Sequence, residues 1–332
     1  MKKIFIVILV FFTVSSVFPA EYIDGRIKLV LNENTGRFSL YYMTDIAKEE
    51  FSPLFFDQDP RSSFLSVIVN NKTYKMGETS VFKTRIAGTP SSPSLIFESS
   101  FLVVVKNFSF IKTESSSLAN GVLITITITN KSEQPVDAGI RLLIDTNLLE
   151  KNSPHFYTNS RHISSETIID GSSGDKYWVS KNSKVMLQGS IQSRHSPDMI
   201  HFANWKRLND ASWKISPMPG RNFNLLPSSV DDSAVCYYYD IALLPKDGSR
   251  TASLSLTGDL SGDDAGRAND STQVTQRNKA ELAESIRADL ALLRELISNL
   301  NEHINSGTFI SDEELTAVNL LILRIKSKYS IP

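Results

Sequence analysis

Apolar and polar residues alternate with a period of two from Arg26 to about Leu256, the spacing of strands that set one face on a core and the other on solvent. The clearest run sets Ile124, Ile126 and Ile128 against Thr125, Thr127 and Thr129, β-branched residues that suit both faces of a pleat. Ile27, Leu29 and Leu31 repeat the pattern, then Phe38, Leu40 and Tyr42 across Asn34-Thr35-Gly36, which predicts an opening hairpin. Further strands are predicted at 64–69, 81–86, 95–97, 101–111, 138–144, 176–179, 185–187, 199–205, 235–243 and 251–256. No helical period interrupts them, so an antiparallel β-sandwich is expected over residues 21–257, because parallel pairing would need crossover helices.

Residues 258–276 are small and acidic, with too little to bury to offset their ordering entropy, and are expected to form a flexible linker. The period then changes to about 3.6. Leu282, Ile286, Leu290, Leu293, Ile297, Leu300 and Ile304 stripe one helix, which Asn305-Ser306-Gly307 would end. Ser311 with Glu314 makes a capping box before a second stripe of Leu315, Val318, Ile322, Ile325 and Tyr329. Residues 277–332 are thus predicted to form a C-terminal α-helical hairpin. Leu320, Leu321 and Leu323 widen its apolar face beyond what one partner helix covers, marking them as assembly residues for an envelope protein, a second copy of the chain or the sandwich itself.

The first 20 residues read as a cleavable signal: Lys2 and Lys3, an apolar run from Ile4 to Val14, then small residues to Ala20. The run falls short of the roughly 20 residues of a membrane span. No integral span is expected after processing, and the location expected is periplasmic or secreted, in a bacterial envelope. The one cysteine, Cys236, excludes an intramolecular disulfide and reads as a small core residue, so the fold must rest on burial, which 41% apolar residues permit. A net charge of −1 with interspersed signs lacks the clustered basic face that nucleic acid or anionic lipid would require.

Candidate chemistry concentrates after the strand at 138–144. If Ile140, Leu142 and Ile144 point inward, Arg141 and Asp145 share the outward face, about 13 Å apart along an extended strand. Asp145, Glu150 and His155 then fall on one rim, where acid, base or metal-binding groups can converge, although Asp-Thr-Asn is also ordinary turn chemistry. The five histidines (His155, His162, His195, His201, His303) lack zinc spacing. Neither a glycine-rich phosphate loop nor a G-x-S-x-G elbow is present, and no cofactor or metal is expected. Aromatic residues crowd the later strands, making Trp178, Trp205 and Tyr238 candidates for stacking on a glycan. Asn71, Asn107, Asn130 and Asn269 fit the N-glycosylation pattern but read as turn residues.

Residues 121–136, Gly121-Val122-Leu123-Ile124-Thr125-Ile126-Thr127-Ile128-Thr129-Asn130-Lys131-Ser132-Glu133-Gln134-Pro135-Val136, resemble the strand and turn carrying an N-x-S-x-x-P element in galactose-mutarotase-like supersandwich domains. The resemblance implies a supersandwich, and a histidine and a carboxylate acting as acid and base on a sugar. Only His155 sits in a comparable neighbourhood, and there Pro154 precedes the histidine where the family's proline follows it. Two functional expectations result. The first is a non-enzymatic exported envelope protein whose sandwich binds a surface component or glycan and whose hairpin mediates assembly; the second is a carbohydrate-active enzyme of the supersandwich type.

Overall fold

The computed structural model describes residues 19–56, 61–113, 118–146, 148, 154–227, 229–261, 297–298 and 303. The signal segment up to residue 18, Glu150 and the assembly leucines Leu320, Leu321 and Leu323 lie outside them, as does nearly all of the predicted hairpin.

Strands β1 (Ala20–Asp24), β2 (Ile27–Asn32), β3 (Arg37–Asp45) and β4 (Glu50–Pro53) join in that order as a four-stranded sheet. There follow β5 (Phe64–Val69), β6 (Lys72–Lys75), β7 (Lys83–Thr89), β8 (Ser92–Glu98), β9 (Leu102–Ile111), β10 (Gly121–Asn130) and β11 (Val136–Asp145). The short strands β12 (Phe156–Thr158), β13 (His162–Ile163) and β14 (Thr167–Asp170) precede β15 (Tyr177–Lys181), β16 (Val185–Ser190) and β17 (Met199–Asn204). Helix α1 (Trp205–Asp210), β18 (Ser233–Leu244) and β19 (Ser249–Leu260) complete the order. A nine-stranded sheet runs β13-β12-β15-β16-β19-β10-β9-β8-β7 and a six-stranded sheet β14-β17-β18-β11-β5-β6. The pairings within them are antiparallel.

The alternation on β10 explains the packing. Val122, Ile124, Ile126 and Ile128 are completely buried, each contributing about 1.5–3 kcal/mol as an upper bound. On the other face Thr127 and Thr129 hydrogen-bond across to Thr251 (3.3 Å) and Ser249 (2.8 Å) of β19. Ile140, Leu142 and Ile144 of β11 meet the inward residues of the other two sheets in one continuous core, so the described strands form a β-sandwich. The predicted β2–β3 turn forms, with Thr35 N donating to Asn32 Oδ1 (3.0 Å) and Gly36 at φ +63°, where an added Cβ would lie 2.6 Å from the Phe97 ring.

The Asn130 element is a structural clip. Its side-chain amide donates to Gln134 O (2.8 Å), Leu244 O (3.0 Å) and Pro245 O (3.1 Å), while Oδ1 accepts from Ser132 N (2.9 Å) and Oγ (2.7 Å). The turn after β10 is thereby tied to the turn after β18, which accounts for an asparagine at zero exposure.

The boundaries that differ from expectation include these three. The strand predicted from residue 81 begins at Lys83. The strand predicted to run through Trp205 stops at Asn204, whose side chain accepts from Arg207 N and so caps α1, a helix inside the region expected to have none. Residues 258–260, assigned to the linker, pair with Leu187, Met186 and Val185 of β16, and Gly258 is small enough to lie against the Tyr42 ring. A cross-strand partner overrides the low burial capacity of those three residues.

Candidate functional site

The end of β11 carries the first predicted residues. Asp145 is 5% exposed; its N–H donates to Ser63 Oγ (2.9 Å), and its carbonyl accepts from Phe56 N (3.1 Å). It stands opposite Ala234, which shares a face of β18 with Cys236 and Tyr238. His155, just before β12, is also 5% exposed, with Nδ1 2.8 Å from Ser233 Oγ and its ring 4.7 Å from that of Phe223. Ser233 alternates with Ala234, so Asp145 and His155 reach the same end of the six-stranded sheet from opposite faces. Burial lowers the His155 pKa against the opposing pull of Asp231, favouring the neutral ring.

Two of the three aromatic candidates, Trp178 and Tyr238, are sealed inside the fold. Trp178 is fully buried: Gly189 faces it across β15 and β16 without a Cβ, and the indole fills the space and donates to Tyr237 Oη (2.5 Å). Tyr238 is equally buried, because the chain from 205 to 218 crosses the outer face of the six-stranded sheet, and its hydroxyl donates to Trp213 O (3.3 Å). Trp205, half-buried at the start of α1, donates to Ser62 O (2.9 Å). Alternation assigned Tyr238 correctly to the face opposite Tyr237 and Tyr239, but that face is covered as well.

Beneath this strap lies a polar network that local spacing does not reveal. Glu166, 3% exposed and just before β14, takes His201 Nε2 (3.0 Å) and Met218 N (2.8 Å) on Oε1 and Arg207 on Oε2. His201 is fully buried on β17, and its Nδ1 has no hydrogen-bond partner among the described residues. Burial lowers its pKa against the opposing pull of Glu166, which favours the neutral ring. Nearby Arg141, 1% exposed, donates to Leu208 O, to Ala211 O (3.2 Å) and to Cys236 Sγ (3.2 Å), with Phe64 and Tyr238 rings on its flanks. The strap's backbone therefore satisfies charged groups of the sheet, and those groups pin the strap. A glutamate hydrogen-bonded to a neutral histidine has the composition of an acid–base pair, but a proton can be exchanged only with a substrate in hydrogen-bond reach. Both side chains are sealed.

On the inner side of the β14–β17 edge is a cavity of about 320 Å³, lined by Ile169, Asp170, Gly171 and Asp175 together with Ile191–Ser193, Ser196, Pro197 and Ile200. Asp175 is fully buried there. Burial pushes its carboxyl pKa up, but hydrogen bonds from Ser160 (2.5 Å) and Thr158 (2.6 Å) and the Arg161 guanidinium (2.7 Å) outweigh that and hold it below the usual carboxylate value. Among the described residues no group of three or more His, Cys, Asp or Glu side chains is arranged to hold a metal ion.

No family model matches the chain, and no curated protein does. Among solved structures it is similar to a galactose mutarotase related enzyme from Lactobacillus acidophilus, 9% identical with a TM-score of 0.44 over 74% of this chain and 99% of that one. A galactose mutarotase-like protein from Lactobacillus casei is 9% identical with a TM-score of 0.43, over 73% of this chain and 100% of that one. An aldose epimerase homologue from C. elegans is 10% identical with a TM-score of 0.43, over 74% and 98%.

Proposed function

We propose that this chain is an exported envelope protein whose β-sandwich is a non-catalytic binding domain and whose C-terminal segment assembles with protein through Leu320, Leu321 and Leu323. The observation that carries the first part is the state of the acid–base groups. His155, Glu166 and His201 are at most 5% exposed and committed to partners within the fold, so none is presented to a reacting atom. A second reading, a carbohydrate-active enzyme, is favoured by the 3.0 Å contact between Glu166 and His201.

Polarimetry on freshly dissolved aldoses, run beside a glycan array with the purified chain, separates the two. Array binding with interconversion no faster than buffer is the expected result. Catalysed interconversion that His201→Asn or His155→Ala abolishes, with the fold intact, would establish the enzyme instead. For the assembly role, a chain ending at Ser261 should remain folded and lose self-association or partner capture; an unchanged assembly state refutes it.

A further inference from the structure

Residues 221–232, which lead into β18, hold apolar side chains in water from a rigid base. The Asn204 amide reaches Phe223 O (2.8 Å), Ser229 Oγ (2.8 Å) and Asp232 O (3.1 Å), and Asp231 N donates to Asn224 Oδ1 (2.6 Å). Leu225 and Ser229 exchange backbone hydrogen bonds of 2.7 and 2.9 Å. Beside that bridge Leu226 is 76% exposed, the most of any large hydrophobic among the described residues; Val230 is 60% exposed, and Pro227 is exposed too. An apolar tip that hydrogen bonds order and the other described residues leave uncovered marks an interaction surface. Asp231 and Asp232 follow the tip directly, while Arg221, the one cation of this loop, stands at its start beside Met218 Sδ (3.2 Å).

Residues 315–332 of this chain have the complementary chemistry: Leu320, Leu321, Ile322 and Leu323 are followed by Arg324, Lys326 and Lys328, with no acidic side chain among them. The chain also leaves the sandwich at the right end. Tyr239 Oη donates to Ser253 O (3.0 Å), and Tyr237 Oη donates to Ser190 O (3.1 Å), a residue whose Oγ accepts from Ser255 N (2.8 Å). β18 and β19 therefore cross the core in opposite directions, and Ser233, where the loop ends, lies at the same end as Leu260. Residues 262–314 supply up to about 3.3 Å each, far more contour than the 12-residue strands have. Tethering of this kind sets a local concentration in the millimolar range, above that of a second copy in dilute solution. We propose that the C-terminal segment docks on the Leu226–Val230 tip of its own sandwich, with its basic side chains toward Asp231 and Asp232. The proposal rests on the assembly reading above and goes beyond it: the loop caps Leu320, Leu321 and Leu323 until a protein partner displaces it.

The test uses the full chain as Asn222→Cys carrying a nitroxide, since Asn222 is exposed and the native Cys236 is buried, with leucine methyls labelled isotopically. The Leu320, Leu321 and Leu323 methyl signals should be lost when nitroxide and isotope share a chain and keep full intensity when they sit on different chains of a mixed sample. Leu226→Asp combined with Val230→Asp should restore the signals, leave the unfolding midpoint unchanged and strengthen self-association or partner capture. Signal loss that persists in the double variant overturns the site, and assembly that the double variant leaves unchanged overturns the capping. Loss confined to the mixed sample replaces the chain's own sandwich with that of a second copy and overturns docking within one chain. Full intensity in every sample overturns the proposal, and the assembly reading falls with it only if a chain ending at Ser261 associates as the full chain does.

Discussion

Lys106 bears directly on the stability of the sandwich, because it occupies a core position with no counter-charge among the described residues. It lies on the inward row of β9 with Leu102, Val104 and Phe108, is completely buried, and its Nζ has no hydrogen-bond partner among the described residues. The amine sits 4.6 Å from the Phe38 ring centroid, 5.8 Å from that of Phe108 and 6.0 Å from that of Phe97. Burial, reinforced by Arg37, depresses its pKa from 10.5 to about 7. That depression corresponds to about 5 kcal/mol against folding when both states are protonated, at 1.36 kcal/mol per unit. The phenylalanine faces return up to about 2 kcal/mol to the charged form, so the burial cost wins.

The pH dependence has a definite sign. Below pH 7 the lysine is charged in both states and the full cost applies. Between pH 7 and 10.5 the folded state has lost the proton while the unfolded chain keeps it, so stability rises with pH by up to about 1.4 kcal/mol per unit. Lys106→Met removes this dependence while filling the site with a flexible apolar chain. The variant should therefore be more stable by about 3–5 kcal/mol at pH 6, with the advantage shrinking by about 2 kcal/mol or more by pH 9. Urea unfolding followed by tryptophan fluorescence measures it, since Trp178, Trp205 and Trp213 are the three tryptophans and all lie within the sandwich. An advantage that does not vary with pH, or a variant less stable than the parent at pH 6, would refute the reasoning.

Glu166→Gln should destabilise the domain by about 3–5 kcal/mol, because Arg207 and His201 would keep their burial and lose their acceptor charge; thermal unfolding reads it, and an unchanged midpoint would show that the network is not a pin. Gly189→Ala places a Cβ about 2.4 Å from the Trp178 ring and should cost about 1–3 kcal/mol by overpacking, with a changed near-ultraviolet tryptophan signal; a neutral result would mean the indole can move. The lowered Asp175 pKa gives stability that is fully present above its ordinary value of 3.8 and lost as pH falls through the folded value, so Asp175→Asn should flatten the acid limb of the stability curve. An acid limb identical to the parent's would place the loss on other carboxylates.

Period-two alternation revealed the long strands because each has one face on the main core, and it is that face the pattern encodes. It did not reveal β4, β6, β12, β13 or β14, which are two to four residues long and too short to show a period, nor the five-residue β1 that precedes the predicted hairpin. It also could not say whether a second face is covered. β11 and β18 are buried on both sides, and on the outer side the cover is a strap whose backbone carbonyls satisfy Arg141 and accept from Tyr238. One local signal pointed there, His201 between Ile200 and Phe202 inside a strand pattern. The contact of Glu166 with His201 had none, since it spans 35 residues and depends on the register of β14 against β17. Residues that look reactive in a sequence become reactive only where the fold leaves them a partner to supply. Here Arg141 and Glu166 found theirs in the strap and His201 found its own in Glu166, while Asp175, fully buried, is held by Thr158, Ser160 and Arg161, so the groups that look most reactive are each spent inside the fold.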